Sequence, residues 1–206
     1  MTFTIAEDVQ LMLKVQPGRL EYQSILPATG ALIELALLGR LTSTTKPRFF
    51  HTPLDRLLTV VDSAPTGQPI LDVVLDILVA RDKPWRCDRA LLAIYRPIQT
   101  AIDESLAARG LARAIENPTK FSGYLEITDQ AAFEARLSVL QRARTLPDTV
   151  TDARLGAVVD VMLNSGARSR GWTGLQPDMT YDWYPAAATS TILGILRGEH
   201  MLTLSE

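Results

Sequence analysis

Residues 30–41 read GALIELALLGRL, and almost every position in the run is apolar. At helical spacing Leu32, Leu35, Ala36 and Gly39 fall on one stripe, while Ile33, Leu37 and Leu38 fill the opposite side. A helix apolar nearly all round has no face to offer water, so it is expected at the centre of a helical core. Its one charge, Glu34, then needs a partner or an edge, because an unpaired buried carboxylate is costly.

Outward from this helix, the flanking segments read as its cover. Thr4 followed by Glu7 is a capping box, and Ile5, Val9, Met12 and Leu13 form one face of a short helix ended by Pro17-Gly18. LTSTT (41–45) and LLTVV (57–61) have the β-branched content of two strands, joined by the loop KPRFFHTPLDR. The stretch DSAPTGQPILDVVLDIL (62–78) follows. A phosphate-binding loop would need several glycines and a Lys at fixed offsets, whereas Gly67 stands alone and Asp72 and Asp76 would repel an anion. This is a turn into a helix, with Pro69 in the first turn and Ile70, Leu71, Val74, Leu75, Leu78 and Val79 on the buried face. RDKPWRCD reads as a polar link to a long helix from about Asp88 to Arg109, in which Pro97 predicts a kink or break and Gly110 a stop. LARAI and FSGYLEIT form a hairpin around Asn117-Pro118, and the last third holds helices near 129–144, 149–164 and 178–196, the last opening at Asp178 and disturbed by Pro185. The expected fold is mainly α, a single domain over 1–206 with a helical core and short β-hairpins.

Bulk properties narrow the function. The chain has 206 residues, 47% hydrophobic, with 21 basic and 23 acidic side chains. A formal charge of −2 supplies no global pull toward nucleic acid or lipid, so an anionic partner must find a local patch. No apolar run is long enough to span a membrane, and MTFTIAEDVQ lacks the form of a signal peptide, which places the chain in the cytoplasm or peripherally on a membrane surface. Cys87 is the only cysteine and His51 and His200 the only histidines, so no disulfide, metal site or cofactor is expected.

Several constellations are candidates for binding. Trp85, Arg86 and Arg89 combine an indole with guanidinium groups, a set suited to a half-wet membrane interface or to a Trp lid on the core. In the 46–56 loop, Lys46, Arg48, Phe49 and Phe50 offer cations and adjacent rings for membrane or partner contact, unless one Phe tucks inward. The carboxylate pairs Asp72/Asp76 and Asp103/Glu104 lack a nucleophile or base at short range, so they read as solvated helix faces and the chain as a non-enzyme. A helix, a Gly-Leu stop and a two-stranded wing also describe a winged-helix DNA-binding regulator, but Asp103 and Glu104 would face the phosphates, so no nucleic acid partner is expected.

LIELALLGRL (32–41), SAPTGQPILDVVL (63–75) and LAARGLA (106–112), in this order and spacing, resemble the Golgi phosphoprotein 3 family of peripheral membrane proteins. The resemblance implies a non-catalytic α-rich domain with a protruding hairpin, binding a phosphatidylinositol 4-phosphate headgroup and holding protein clients. Counted from Gly110, Arg96 matches the first of the family's two helix arginines, and Gln99 stands at the second. Ala28 stands where a third arginine would be, and Arg19 about where a tryptophan would be. These departures resemble those of a bacterial branch. Read from the residues alone, Arg96 holds a phosphate or pairs with Asp88 or Asp103. The candidate lipid- or anion-binding set is Arg96, Trp85, Arg86, Arg89 and Arg19, for an anionic lipid or phosphoinositide headgroup. Protein clients and a second copy of the chain complete the expected partners, and selectivity for one monophosphoinositide is expected to be weak.

Overall fold

The computed structural model describes residues 3–14, 25–45, 56–115, 124–164 and 183–204. In chain order these hold α1 (Ile5–Lys14), α2 (Ile25–Leu37), β1 (Leu41–Thr45), β2 (Arg56–Val60), α3 (Pro69–Val79), β3 (Trp85–Arg86) and α4 (Cys87–Ala108). They continue with β4 (Ala112–Ile115), β5 (Tyr124–Ile127), α5 (Gln130–Thr145), a 3-10 turn (Pro147–Thr149), α6 (Ala153–Asn164) and α7 (Ala186–Leu204). Helix exceeds strand several-fold among the described residues, and the fold is mainly α.

The all-round apolar helix is central. Every residue of α2 from Leu26 to Ala36 is buried, and α2 packs on α1, α3, α4, α6 and α7. It ends because Gly39 adopts φ +70°, a left-handed conformation that costs a residue with a Cβ. Gly39 N–H then donates to the Ala36 carbonyl at 3.0 Å and Arg40 N–H to the Leu35 carbonyl at 2.8 Å, closing the helix on its own last turn. The same pair of bonds ends α4, from Gly110 to Ala107 at 2.9 Å and from Leu111 to Leu106 at 3.0 Å.

The predicted capping box is formed: Thr4 N–H donates to Glu7 Oε2 at 2.7 Å, and Glu7 N–H donates to Thr4 Oγ1 at 3.2 Å. Glu7 is itself fully buried and accepts further bonds from Ser105 Oγ at 2.8 Å and from Arg109 Nε at 3.1 Å. Asp8 takes a two-pronged bond from Arg136 of α5. The guanidinium groups of Arg109 and Arg136 both lie over the Phe3 ring, each 5.1 Å from its centre. Charges from α4 and α5 therefore lock the head of α1 onto the bundle.

Two antiparallel sheets flank the helices. The first has the order β1-β2-β3, with Leu41 opposite Val60 and Leu58 opposite Trp85. On its other edge, β1 is covered by α7, where Thr191 Oγ1 accepts the Ser43 N–H at 3.0 Å. The second sheet is the hairpin β4-β5, with Arg113 opposite Glu126.

Four expectations need correction. The polar link RDKPWRCD contains β3, a two-residue strand too short for any alternation to reveal. Of the kink or break expected at Pro97 the break does not occur: α4 runs from Cys87 to Ala108, and Ile94, Ile98, Ala101 and Ile102 are buried on either side, so packing holds the helix across one lost hydrogen bond. The helix expected from 149 begins at Ala153, after the 3-10 turn. The final helix begins after Pro185, whose carbonyl accepts the Ala188 and Thr189 N–H groups, so Pro185 starts the helix instead of disturbing it. Arg19, Lys46, Arg48, Phe49, Phe50, Pro17-Gly18, Asn117-Pro118 and the Asp178 helix start lie outside the described residues.

Candidate functional site

The opening turn of α3 is tied to its own helix. Thr66 donates to Asp72 Oδ1 through both its N–H and its hydroxyl, each at 2.6 Å, and Pro69 occupies the first helical turn. Asp72 is thereby used as a turn clamp, which agrees with reading this segment as a helix start.

At the other end of α3, the chain turns through Arg81, Asp82 and Lys83 into β3. The Trp85 indole N–H donates to the Leu78 carbonyl at 2.9 Å, satisfying one of the orphan acceptors of the helix end. Trp85 is half-buried against the main core, while the Arg81 guanidinium lies 5.1 Å from its ring centre. Trp85 therefore covers the core as a lid while part of its ring stays accessible. Arg86 precedes the first turn of α4 and forks onto Asp88, Nε to Oδ1 at 3.0 Å and Nη2 to Oδ2 at 2.9 Å. Asp88 also suits the positive end of the helix dipole. Arg89 is 66% exposed and stands 4.0 Å from the same carboxylate.

These side chains line one open cleft of about 720 Å³. Arg81, Lys83, Arg86 and Arg89 supply its charge, and Leu57, Trp85 and Leu92 its apolar wall. Arg81 and Lys83 make no ion pair with any described residue. Sequence reasoning named Trp85, Arg86 and Arg89 but passed over Arg81 and Lys83. The signal was present in the density of cations around a tryptophan in RDKPWRCDR.

Arg96 does not line this cleft, although it lies on the same face of α4, four residues beyond Leu92. It is exposed; its Nε donates to the Tyr95 hydroxyl at 2.7 Å and its guanidinium lies 5.5 Å from that ring. Neither ion pair weighed for it forms, since Asp88 is held by Arg86 and Asp103 accepts from Gln99 Nε2 at 3.0 Å.

A family profile described as Golgi phosphoprotein 3 (GPP34) matches residues 5–173. The chain belongs to the Golgi phosphoprotein 3 family. A search of curated proteins finds no match. Of the positions singled out by the resemblance, Arg96 is exposed, Gln99 donates to Asp103, and Ala28 is wholly buried in α2.

Groups with shifted proton affinity lie outside the cleft lining. Burial, with the Asp88 charge beside it, pushes the Cys87 thiol up to about 12. Burial pushes Asp160 up to about 6, although the Tyr184 hydroxyl donates to it at 2.6 Å. It pushes Glu199 up to about 8, and neither Glu199 oxygen has a hydrogen-bond partner among the described residues. Among the described residues no group of three or more His, Cys, Asp or Glu side chains is placed to hold a metal, and no helix is long and apolar enough to cross a membrane. In the hairpin that resembles a DNA-binding wing, Arg113 is engaged by Glu126, its Nε donating at 3.0 Å.

Proposed function

We propose that the protein is a non-enzymatic peripheral membrane adaptor of the cytoplasm that attaches to anionic lipid headgroups through the basic face around α4. The observation that carries this reading is the concentration of Arg81, Lys83, Arg86 and Arg89 beside Trp85 on a chain whose formal charge is −2. Such a patch directs one side of an otherwise acidic molecule toward a negative surface, each cation contributing about 1 kcal/mol there. Trp85 suits the headgroup zone, having an apolar body and a polar edge. The absence of an enzyme role is supported by the state of the reactive groups: Cys87 is buried with its thiol held protonated, and Asp72 is committed to Thr66. Protein clients and self-association belong to the same reading, as the properties of an adaptor.

Co-sedimentation with vesicles tests it. Binding is expected to rise with the phosphatidylserine fraction and to fall as salt shortens the screening length below about 8 Å. Phe49 and Phe50, changed together to Ala, are expected to weaken attachment more than Arg96→Ala. Equal sedimentation with neutral and anionic vesicles would overturn the reading.

A further inference from the structure

We propose that α7 is a releasable clamp on the β2–β3 pairing that frames the cleft, and that ionisation of Glu199 releases it. Two glycines about one helical turn apart let α7 approach its neighbours closely. A Cβ on Gly194 would lie 2.6 Å from Arg56 Cδ, and one on Gly198 would lie 2.7 Å from Cys87 Cβ. Arg56 immediately precedes Leu57, and Cys87 immediately follows Arg86. Leu57 and Arg86 are partners across β2 and β3, and both line the cleft. α7 therefore rests on both flanks of that pair. Nearer its start, Thr191 Oγ1 accepts the Ser43 N–H at 3.0 Å and the Ser190 carbonyl accepts from Arg56.

Docking is what keeps α7 helical. Gly194, Gly198 and the run Thr189-Ser190-Thr191-Ile192 are weak helix formers, so the helix depends on burying Ile192, Ile195 and Leu196 against α2 and α4. Glu199 continues that buried face one turn beyond Ile195. It is 0% exposed, and neither oxygen has a hydrogen-bond partner among the described residues. The buried charges on the elements around α7 are committed elsewhere: Glu34 of α2 to Ile5 and Arg154, Asp88 of α4 to Arg86, and Asp160 of α6 to Tyr184. β1 carries no charge, Arg56 of β2 sits at Gly194, Cys87 of α4 sits at Gly198 with its thiol protonated, and Arg197 of α7 is exposed. An ionised Glu199 thus reaches water only if α7 leaves its seat. Burial raises its carboxyl from 4.5 to about 8, so the docked form holds a proton that the released form gives up. Docking is complete below the lower value and is lost as pH rises through the upper one, the released fraction growing about tenfold per pH unit between them. The consequence for membrane attachment rests on the reading given above; the release of α7 does not.

Cys87, covered by Gly198, reports the release. At pH 6 a dipyridyl disulfide is expected to label it only as the whole chain unfolds. At pH 8 the native wild type is expected to label more than tenfold faster than Glu199→Gln, and comparison at one pH cancels the ionisation of the thiol itself. Glu199→Leu also removes the titrating group and is expected to match Glu199→Gln, and circular dichroism confirms that each variant is folded. Equal rates in wild type and both variants at pH 8 overturn the proposal. So does wild-type labelling at pH 8 no faster than global unfolding. In a second arm, sedimentation with phosphatidylserine vesicles is expected to fall from pH 6 to pH 8 in wild type and to persist in both variants. The expected labelling without vesicle binding at either pH supports the release and overturns the membrane reading. Release with undiminished vesicle binding overturns the clamp on the cleft.

Discussion

Glu34, in the middle of the central helix, accepts the N–H of Ile5 at 2.7 Å, so a buried carboxylate of α2 caps the first turn of α1. Its other oxygen is 2.5 Å from Arg154 of α6, whose guanidinium also donates to the Phe3 carbonyl at 2.7 Å. Burial raises the Glu34 carboxyl, and the Arg154 charge opposes that shift. Removal of Arg154 alone strands a buried charge. Arg154→Ala is expected to lower stability by about 3 kcal/mol, whereas pairing it with Glu34→Gln recovers part of the loss. Urea unfolding of the two single variants and the double variant measures this; additive losses would show that the pair does not act as a unit.

Glu199 sets a pH dependence. Its carboxyl has an ordinary value of 4.5 and is pushed up to about 8 by burial in the folded chain. Between these values the unfolded chain binds fewer protons than the folded one, so this residue makes stability fall as pH rises through the window. Glu199→Gln is expected to flatten that fall and to gain about 1–3 kcal/mol at the alkaline end. Unfolding midpoints at several pH values check it, and an unchanged slope in the variant would rule the assignment out. Asp160, pushed up to about 6, contributes the same sign of slope at lower pH.

Gly156 of α6 packs face-on to Trp183. A Cβ there would lie 2.5 Å from Trp183 Cδ2 and 2.6 Å from Cε3, and Trp183 is buried. Gly156→Ala gains about 1 kcal/mol of helix propensity but forces an indole to move, at a cost of roughly 1–3 kcal/mol. A lower thermal midpoint is expected, and a higher one would show that the ring can yield.

Cys87, buried at the start of α4, is expected to resist thiol reagents in the folded protein. Labelling with a disulfide reagent should appear only across the denaturation transition, at the midpoint seen by circular dichroism. Rapid labelling of the native protein would show local opening of the β3–α4 junction.

What the sequence by itself determined lies within one helical turn or one apolar pattern. Thr4 and Glu7 cap each other across three residues, Pro69 starts α3, Gly110 ends α4, and the all-round apolar run read from Gly30 is buried as far as Ala36, although Gly39, placed by spacing on the stripe, ends the helix and leaves Leu38 exposed. Each follows from backbone geometry that neighbours in sequence share. Only the tertiary structure decided what Glu34 and Asp8 pair with, because Asp8 and Arg136 are 128 positions apart and no local spacing links them. It also decided that Pro97 stays inside α4, since burial on both sides outweighs one missing hydrogen bond. The cleft is the mixed case. Its cations crowd RDKPWRCDR, but Arg81 joins Trp85 and Arg89 only because β3 pairs with β2 and turns the chain into α4, a pairing of two residues that leaves no periodic trace.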